Sequence, residues 1–262
     1  MTTLLEHKNA IVYGAGGGIG GAVARTFARE GARIYLAGRT RERLEKVAQE
    51  ITAAGGKADV AVLDALDERA VEEHAARVAA EAGSIDVSFN LISHGDVQGT
   101  PLIEMTTELL LRAVVTSLQS NFITARAAAR RMTERGAGVI LHLNSASGAG
   151  AMPGMGSTGP TDAATETFYR YLATEVGPQG VRVCGIWTAG VAETLTDESI
   201  AAVTGPGGPT AAQALAGIAS MSALRRTPRL ADVTEVAAFL ASERAAGITG
   251  SVTNVTAGLV IK

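Results

Sequence analysis

The chain of 262 residues is 47% apolar, holds 31 glycines and carries a formal charge of −3. That balance excludes a disordered chain, which needs few apolar residues and a high net charge. It also gives no basic face for nucleic acid or anionic lipid, and the length suits one large α/β domain over residues 1–262.

The opening MTTLLEHKNAIVYG has no basic region leading into an apolar stretch, and no run reaches the about 18 apolar residues of a membrane span. With one cysteine, Cys184, no internal disulfide can form, and the four histidines lack metal-ligand spacing. The expectation is a cytoplasmic protein without a metal. Short β-type runs at 8–14, 33–38, 58–64, 85–90, 138–144, 181–187 and 251–256 alternate with longer helical patterns. Such alternation predicts right-handed βαβ units: a Rossmann-type, doubly wound parallel sheet of about seven strands with helices on both faces.

The first run leads into YGAGGGIGGAVA, where Gly14, Gly18 and Gly20 stand at G-x-x-x-G-x-G spacing, with Ile19 among them. Glycine is needed where the turn is tight, where backbone must approach a pyrophosphate, and where helix packs closely on sheet. The helix that follows offers N–H groups and positive dipole to phosphates. The alternative is a purely structural turn. The second run ends in LAGRTRER, with Arg39 and Arg41 where an NAD-selecting carboxylate would stand. A guanidinium grips a 2′-phosphate that a carboxylate would repel, so NADP(H) is expected over NAD(H), through Arg39. Arg41 reads equally as a solvated charge at a helix start. Asp64, closing the third run, reads either as an adenine contact or as a helix cap.

Later positions carry bulk more than chemistry. Cys184, in VRVCGIW, reads as a small core residue, and His142 as a satisfied core histidine. Met152, Met155 and Trp187 are expected in an apolar pocket or in the core. The stretch TELLLRAVVTSLQSNFITARAAARRM is apolar on more than one face, a pattern that favours symmetric association.

From the glycine loop to ITGSVTNVTAGL (248–259) the chain resembles the short-chain dehydrogenase/reductase family. The resemblance implies a nicotinamide nucleotide, a small-molecule substrate, a substrate lid at about 192–226 and a homotetramer. Residue by residue, it assigns the substrate-orienting hydroxyl to Ser145 and a cofactor-loop contact to Asn90. Thr194 takes a nicotinamide contact. The family's helix-4 asparagine falls on Ser117, or on Asn121 with a shift of a few residues. The family's catalytic tyrosine and lysine fall on Thr158 and Asp162, within GSTGPTDAATETFYRYL. A tyrosine beside an ammonium can be lowered from about 10 toward working pH; a short alcohol beside a carboxylate cannot. Asp162 reads alternatively as a solvated helix-start carboxylate favoured by the dipole.

Three functional readings follow. One is an oxidoreductase on a small apolar carbonyl, alcohol or enoyl substrate, with a rearranged acid for which His94 and Asp96 are candidates. His94 reads equally as a solvated loop histidine. The second is a non-redox isomerase, dehydratase or cyclase using Asp162 or His94 as base. The third is an inert nucleotide-binding subunit accompanying a related catalytic subunit. The GPGGP segment (205–209) of the lid is expected to be mobile.

Overall fold

The computed structural model describes residues 3–205 and 207–261. Among these residues seven strands form one sheet: β1 (Asn9–Tyr13), β2 (Arg33–Gly38), β3 (Lys57–Val62), β4 (Val87–Asn90), β5 (Gly138–Ser145), β6 (Val181–Thr188) and β7 (Ser251–Val255). Their order is β3-β2-β1-β4-β5-β6-β7, with every pairing parallel. The order reverses between β1 and β4, so ligands are expected beyond the carboxyl ends of these two strands.

The helices are α1 (Gly18–Arg29), α2 (Arg41–Ala53), α3 (Glu68–Ala82), α4 (Thr107–Arg135), α5 (Thr158–Val176), α6 (Asp197–Thr204), α7 (Ala211–Met221) and α8 (Leu230–Ala241). Two buried clusters cover the two faces of the sheet. Val12, Leu36, Phe89 and Ile186 point to one side with Phe27 of α1 and Val233 of α8. Ile11, Tyr13, Ile140 and Val183 point to the other with Val71 of α3, Met132 of α4 and Tyr169 of α5. Strands covered on both faces read as continuous apolar runs, as these do. Each fully buried large side chain contributes about 1.5–3 kcal/mol.

Two strand ends fall two residues short of expectation because hydrogen bonding outlasts regular strand geometry. β3 stops at Val62, yet the Leu63 amide still donates to the Gly38 carbonyl at 3.0 Å. β4 starts at Val87, preceded by Asp86, whose amide donates to the Asn9 carbonyl and whose carboxylate accepts from the Asn9 amide.

The 192–226 segment folds into a short turn, α6 and α7, each helix opened by a capping box: Thr196 with Ser199 and Thr210 with Gln213. Asp197 ties the two together by accepting from the Ala211 amide at 2.6 Å. Of the GPGGP stretch, Pro206 lies outside the described residues.

Candidate active site

The glycine loop folds as its spacing requires. Gly14, at φ +77°, donates its amide to the Ala37 carbonyl, and α1 starts at Gly18 behind an N-cap, Gly17, that has no side chain to cover the helix end. The first amide of the helix to find an intrahelical acceptor is that of Gly21, on the Gly17 carbonyl at 2.8 Å. The amides of Gly18, Ile19 and Gly20 therefore face the space an anion would take. A Cβ on Gly20 would sit 2.2 Å from the Gly14 carbonyl oxygen, one on Gly14 2.5 Å from the Leu91 carbonyl oxygen, and one on Gly18 2.9 Å from the Thr194 methyl. This cradle has no room for side chains and fits a dinucleotide pyrophosphate. Since overpacking costs about 1–3 kcal/mol, Gly20→Ala is expected to weaken NADPH binding about tenfold or more in a fluorescence titration. Unchanged affinity would refute the cradle.

Around it stand the other expected contacts. Arg39 is exposed just beyond β2, and Arg41 pairs with Glu45 one turn along α2 at 3.4 Å. Asp64 is exposed and closes a local turn by accepting from the Leu66 amide, while the cap of α3 is Asp67, accepting from the Ala70 amide. Asp64 is thus not the helix cap. Asn90 donates to Thr124 of α4 at 2.9 Å and accepts from the Ile92 amide at 2.9 Å, pinning the loop after β4. Thr194 lies on a short 3₁₀ turn against Gly18.

At the carboxyl end of β5 the catalytic candidates converge. Ser145 closes the strand, and both its amide and its hydroxyl donate to Asp162 Oδ2, at 3.1 and 2.6 Å. The Asn144 side chain donates to the Asp162 carbonyl at 3.1 Å and to Oδ1 at 3.3 Å. Asp162 is 2% exposed, so it is not a solvated helix-start carboxylate. Burial pushes its carboxyl up to about 7; the charges of Asp96 and Glu166 push the same way, against the two bonds from Ser145.

Thr158, also 2% exposed, donates to Asp96 Oδ2 at 2.5 Å. Asp96 arrives from the loop after β4, which is stitched to the start of α5 by reciprocal bonds between Ser157 Oγ and the Val97 backbone, at 2.8 and 2.9 Å. His94 Nε2 lies 3.5 Å from Asp96 Oδ1, and burial lowers its pKa against the pull of Asp96. His94 is thus a largely covered neighbour of Asp96.

Two sequence candidates stand apart from this network. Ser117 shares a hydrogen bond with Thr165 of α5 at 3.0 Å, and Asn121 accepts from the buried Tyr169 hydroxyl at 2.7 Å. Both sit on the α4–α5 seam. His142 is a satisfied core histidine, bonded to Asn144 at 2.8 Å and stacked on Tyr169 at 4.1 Å. Cys184 is a buried core residue. Sequence reasoning missed Asn144 and Glu166. Glu166 is buried one turn beyond Asp162 and accepts from Trp187 Nε1 at 2.5 Å. The i, i+4 spacing of Asp162 and Glu166 was the available signal. Beside the network lies a cavity of about 770 Å³ lined by Leu102, Met152, Met155 and Pro160.

The family described as Enoyl-(Acyl carrier protein) reductase matches residues 14–260. The chain is 32% identical to an L-rhamnose 1-dehydrogenase (NAD(P)(+)) of Azotobacter vinelandii (strain DJ / ATCC BAA-1303), with 98% of each chain covered. It is 31% identical to a D-threitol dehydrogenase of Mycolicibacterium smegmatis (strain ATCC 700084 / mc(2)155), with 98% of this chain and 95% of the relative covered. Among solved structures, a carveol dehydrogenase from Mycobacterium avium in complex with NAD superposes with TM-score 0.90 at 22% identity over the whole of both chains. A 7 alpha-hydroxysteroid dehydrogenase complexed with NADH and 7-oxo glycochenodeoxycholic acid gives TM-score 0.84 at 25% identity, covering 98% of this chain and 96% of that one. The sheet order, the glycine cradle and these full-length likenesses agree: the chain belongs to the short-chain dehydrogenase/reductase family of oxidoreductases.

Proposed function

We propose that the chain is an NADP(H)-preferring oxidoreductase for a small, largely apolar substrate of the carbonyl, alcohol or enoyl type. In this reading Asp162 and Ser145 handle the proton that the family's tyrosine and lysine would otherwise move. The observation that carries it is the 2.6 Å bond from Ser145 to the Asp162 carboxyl, which burial pushes up to about 7. An acid–base group is most effective when its pKa lies near working pH.

The nicotinamide, when bound, supplies or accepts hydride. The chain's own residues do the rest. Gly14, Gly18, Ile19 and Gly20 receive the pyrophosphate, Asn90 and Thr194 flank the nicotinamide, and Arg39 meets the 2′-phosphate. Ser145 orients the reacting group and passes its proton to or from Asp162. Thr158 and Asp96 close the wall where a phenol would stand, with His94 behind them and Ser117 holding α4 against α5. The apolar lining from Leu102, Met152 and Met155 supports a greasy substrate, with α6 and α7 as its cover. Exposed Leu111, Val115 and Phe122 on α4 and Tyr171 on α5 support a homotetramer joined through these helices.

The test is nucleotide preference. NADPH is expected to bind at least about tenfold tighter than NADH, a margin of about 1.4 kcal/mol, and Arg39→Ala is expected to erase the difference. Equal affinities of the unsubstituted protein would defeat the NADP(H) assignment. The same carboxyl favours one further reading, proton abstraction without redox. It would appear as deuterium exchange into a substrate with no NADPH consumed.

A further inference from the structure

Two helices start near the pyrophosphate cradle, and their ends are treated differently. α1 opens behind Gly17, which has no side chain, and so keeps its first amides for a ligand. α8 is closed by the chain itself. Asp232 Oδ2 accepts from the Arg229 amide at 2.9 Å, and the next amide, that of Leu230, donates to Glu193 Oε2 at 2.9 Å. Glu193 stands 37 residues earlier, on the short 3₁₀ turn that follows β6. A carboxylate at a helix N-terminus is favoured by the dipole as well as by the hydrogen bond.

That bond completes a closed ring of contacts. The Ala192 amide donates to the Pro228 carbonyl at 2.9 Å, so the turn is fastened to the approach of α8 at two points. α8 is in turn packed on α1, with Val233 and Phe27 in one buried cluster and Arg29 paired with Glu235 at 2.7 Å. Thr194 closes the ring, its methyl facing Gly18 at the first turn of α1. Within the turn, the Thr194 amide and hydroxyl both donate to the Val191 carbonyl at 3.0 Å. Downstream, the Thr194 carbonyl accepts from Ser199 of α6, which belongs to the lid segment. Glu193 thus supplies a polar side-chain link between the turn that carries Thr194 and the packed pair α1 and α8.

Resting on the NADP(H) reading above, we propose that Glu193 is a positioning residue for the cofactor: by capping α8 it fixes Thr194 over the nicotinamide side of the cradle. It touches no cofactor atom and moves no proton. Its effect is on the fraction of molecules in which the turn is seated on Gly18. Losing the cap lowers that fraction, and the apparent affinity of any ligand that needs the seated turn falls in proportion. The adenine half, received by Arg39 beyond β2, does not need it. Because Glu193 is exposed, water satisfies the Leu230 amide when the carboxylate is removed, and the fold persists.

The test compares two ligands on the full chain: NADPH, and adenosine 2′,5′-bisphosphate, which is its adenine half and ends at the first phosphate. Glu193→Ala is expected to weaken NADPH binding about fivefold to tenfold in a fluorescence titration, as the loss of a helix cap implies. Adenosine 2′,5′-bisphosphate, followed by calorimetry, should stay within about twofold of its affinity for the parent. Glu193→Gln keeps an acceptor for the Leu230 amide and should restore NADPH binding to within about twofold, with thermal melts confirming that both variants are folded. Equal weakening of the two ligands, no weakening of either, or a glutamine variant as weak as the alanine one overturns the positioning role and leaves the cofactor reading standing. Absence of NADPH binding by the unsubstituted protein overturns that reading and this inference together.

Discussion

Asp162→Asn is expected to stabilise the protein at pH 7.5 by up to about 4 kcal/mol and to change little at pH 4. The reason is linkage. The carboxyl moves from 3.8 to about 7 on folding, first because it is buried and then because Asp96 and Glu166 repel its charge. The folded state therefore holds a proton that the unfolded state has released between those two values. Stability is complete below about pH 4, falls as pH climbs through the window, and levels off above about 7. At about 1.36 kcal/mol per pKa unit, the shift amounts to about 4 kcal/mol. Asparagine keeps the shape and never ionises, so this component disappears. Urea unfolding at pH 4, 5.5, 7 and 8 checks it as the difference between variant and parent. The subtraction matters because other groups titrate in the opposite sense. Burial would raise Asp232, but bonds from the Arg229 amide and from the Arg229 and Arg226 side chains hold it at about 2. Its contribution is present above about pH 4 and lost only below. Parallel stability curves for Asp162→Asn and the parent would show that Asp162 is ionised at no unusual cost. A group retained against stability in this way fits a functional carboxyl.

The triple variant Thr158→Tyr, Asp162→Lys, Asp96→Ala is expected to reduce small ketones with NADPH about 10²–10⁴-fold faster than the parent, the usual contribution of a positioned general acid. The third substitution is the structural part of this prediction. Thr158 is buried and its hydroxyl is bonded to Asp96, so the space beyond it is filled by the loop after β4. A phenol placed there with Asp96 retained overpacks the site, at about 1–3 kcal/mol. The double variant is therefore expected to melt earlier and gain little activity. Trimming Asp96 to alanine opens room for the ring. The new ammonium, one turn along α5, lowers the phenol toward neutrality and meets Glu166 as a counter-charge. Initial rates across a panel of cyclic ketones, alongside NADPH titration and thermal melts, test this. A folded, NADPH-binding triple variant without ketone turnover would show that position 158 does not face the reacting carbon. Robust ketone turnover by the parent would show that Asp162 and Ser145 already serve as the acid without a phenol.

Much of the architecture is local enough to be read from the chain. Each of the seven strand runs is a short apolar segment between helical patterns, and each appears within about two residues of its expected place. The glycine loop is legible because close backbone approach admits one residue type, as the Cβ distances at Gly14 and Gly20 show. The absence of a phenol and an amine from positions 158 and 162 is also a matter of sequence, since no folding can supply those groups there.

What fills those seats is tertiary. Nothing within residues 90–98 announces that Asp96, some 60 residues away in sequence, will accept a hydrogen bond from Thr158, because loop paths depend on packing between distant elements. The state of Asp162 is likewise decided by fold. An aspartate near the start of a helix is ordinarily solvated and charged. Here β5 brings Ser145 and Asn144 onto it, α5 adds the charge of Glu166, the loop after β4 adds that of Asp96, and packing leaves it 2% exposed. Residue identity set the chemistry available at each position; burial and neighbouring charge, which exist only once β4, β5 and α5 are packed together, decided which protons those groups hold.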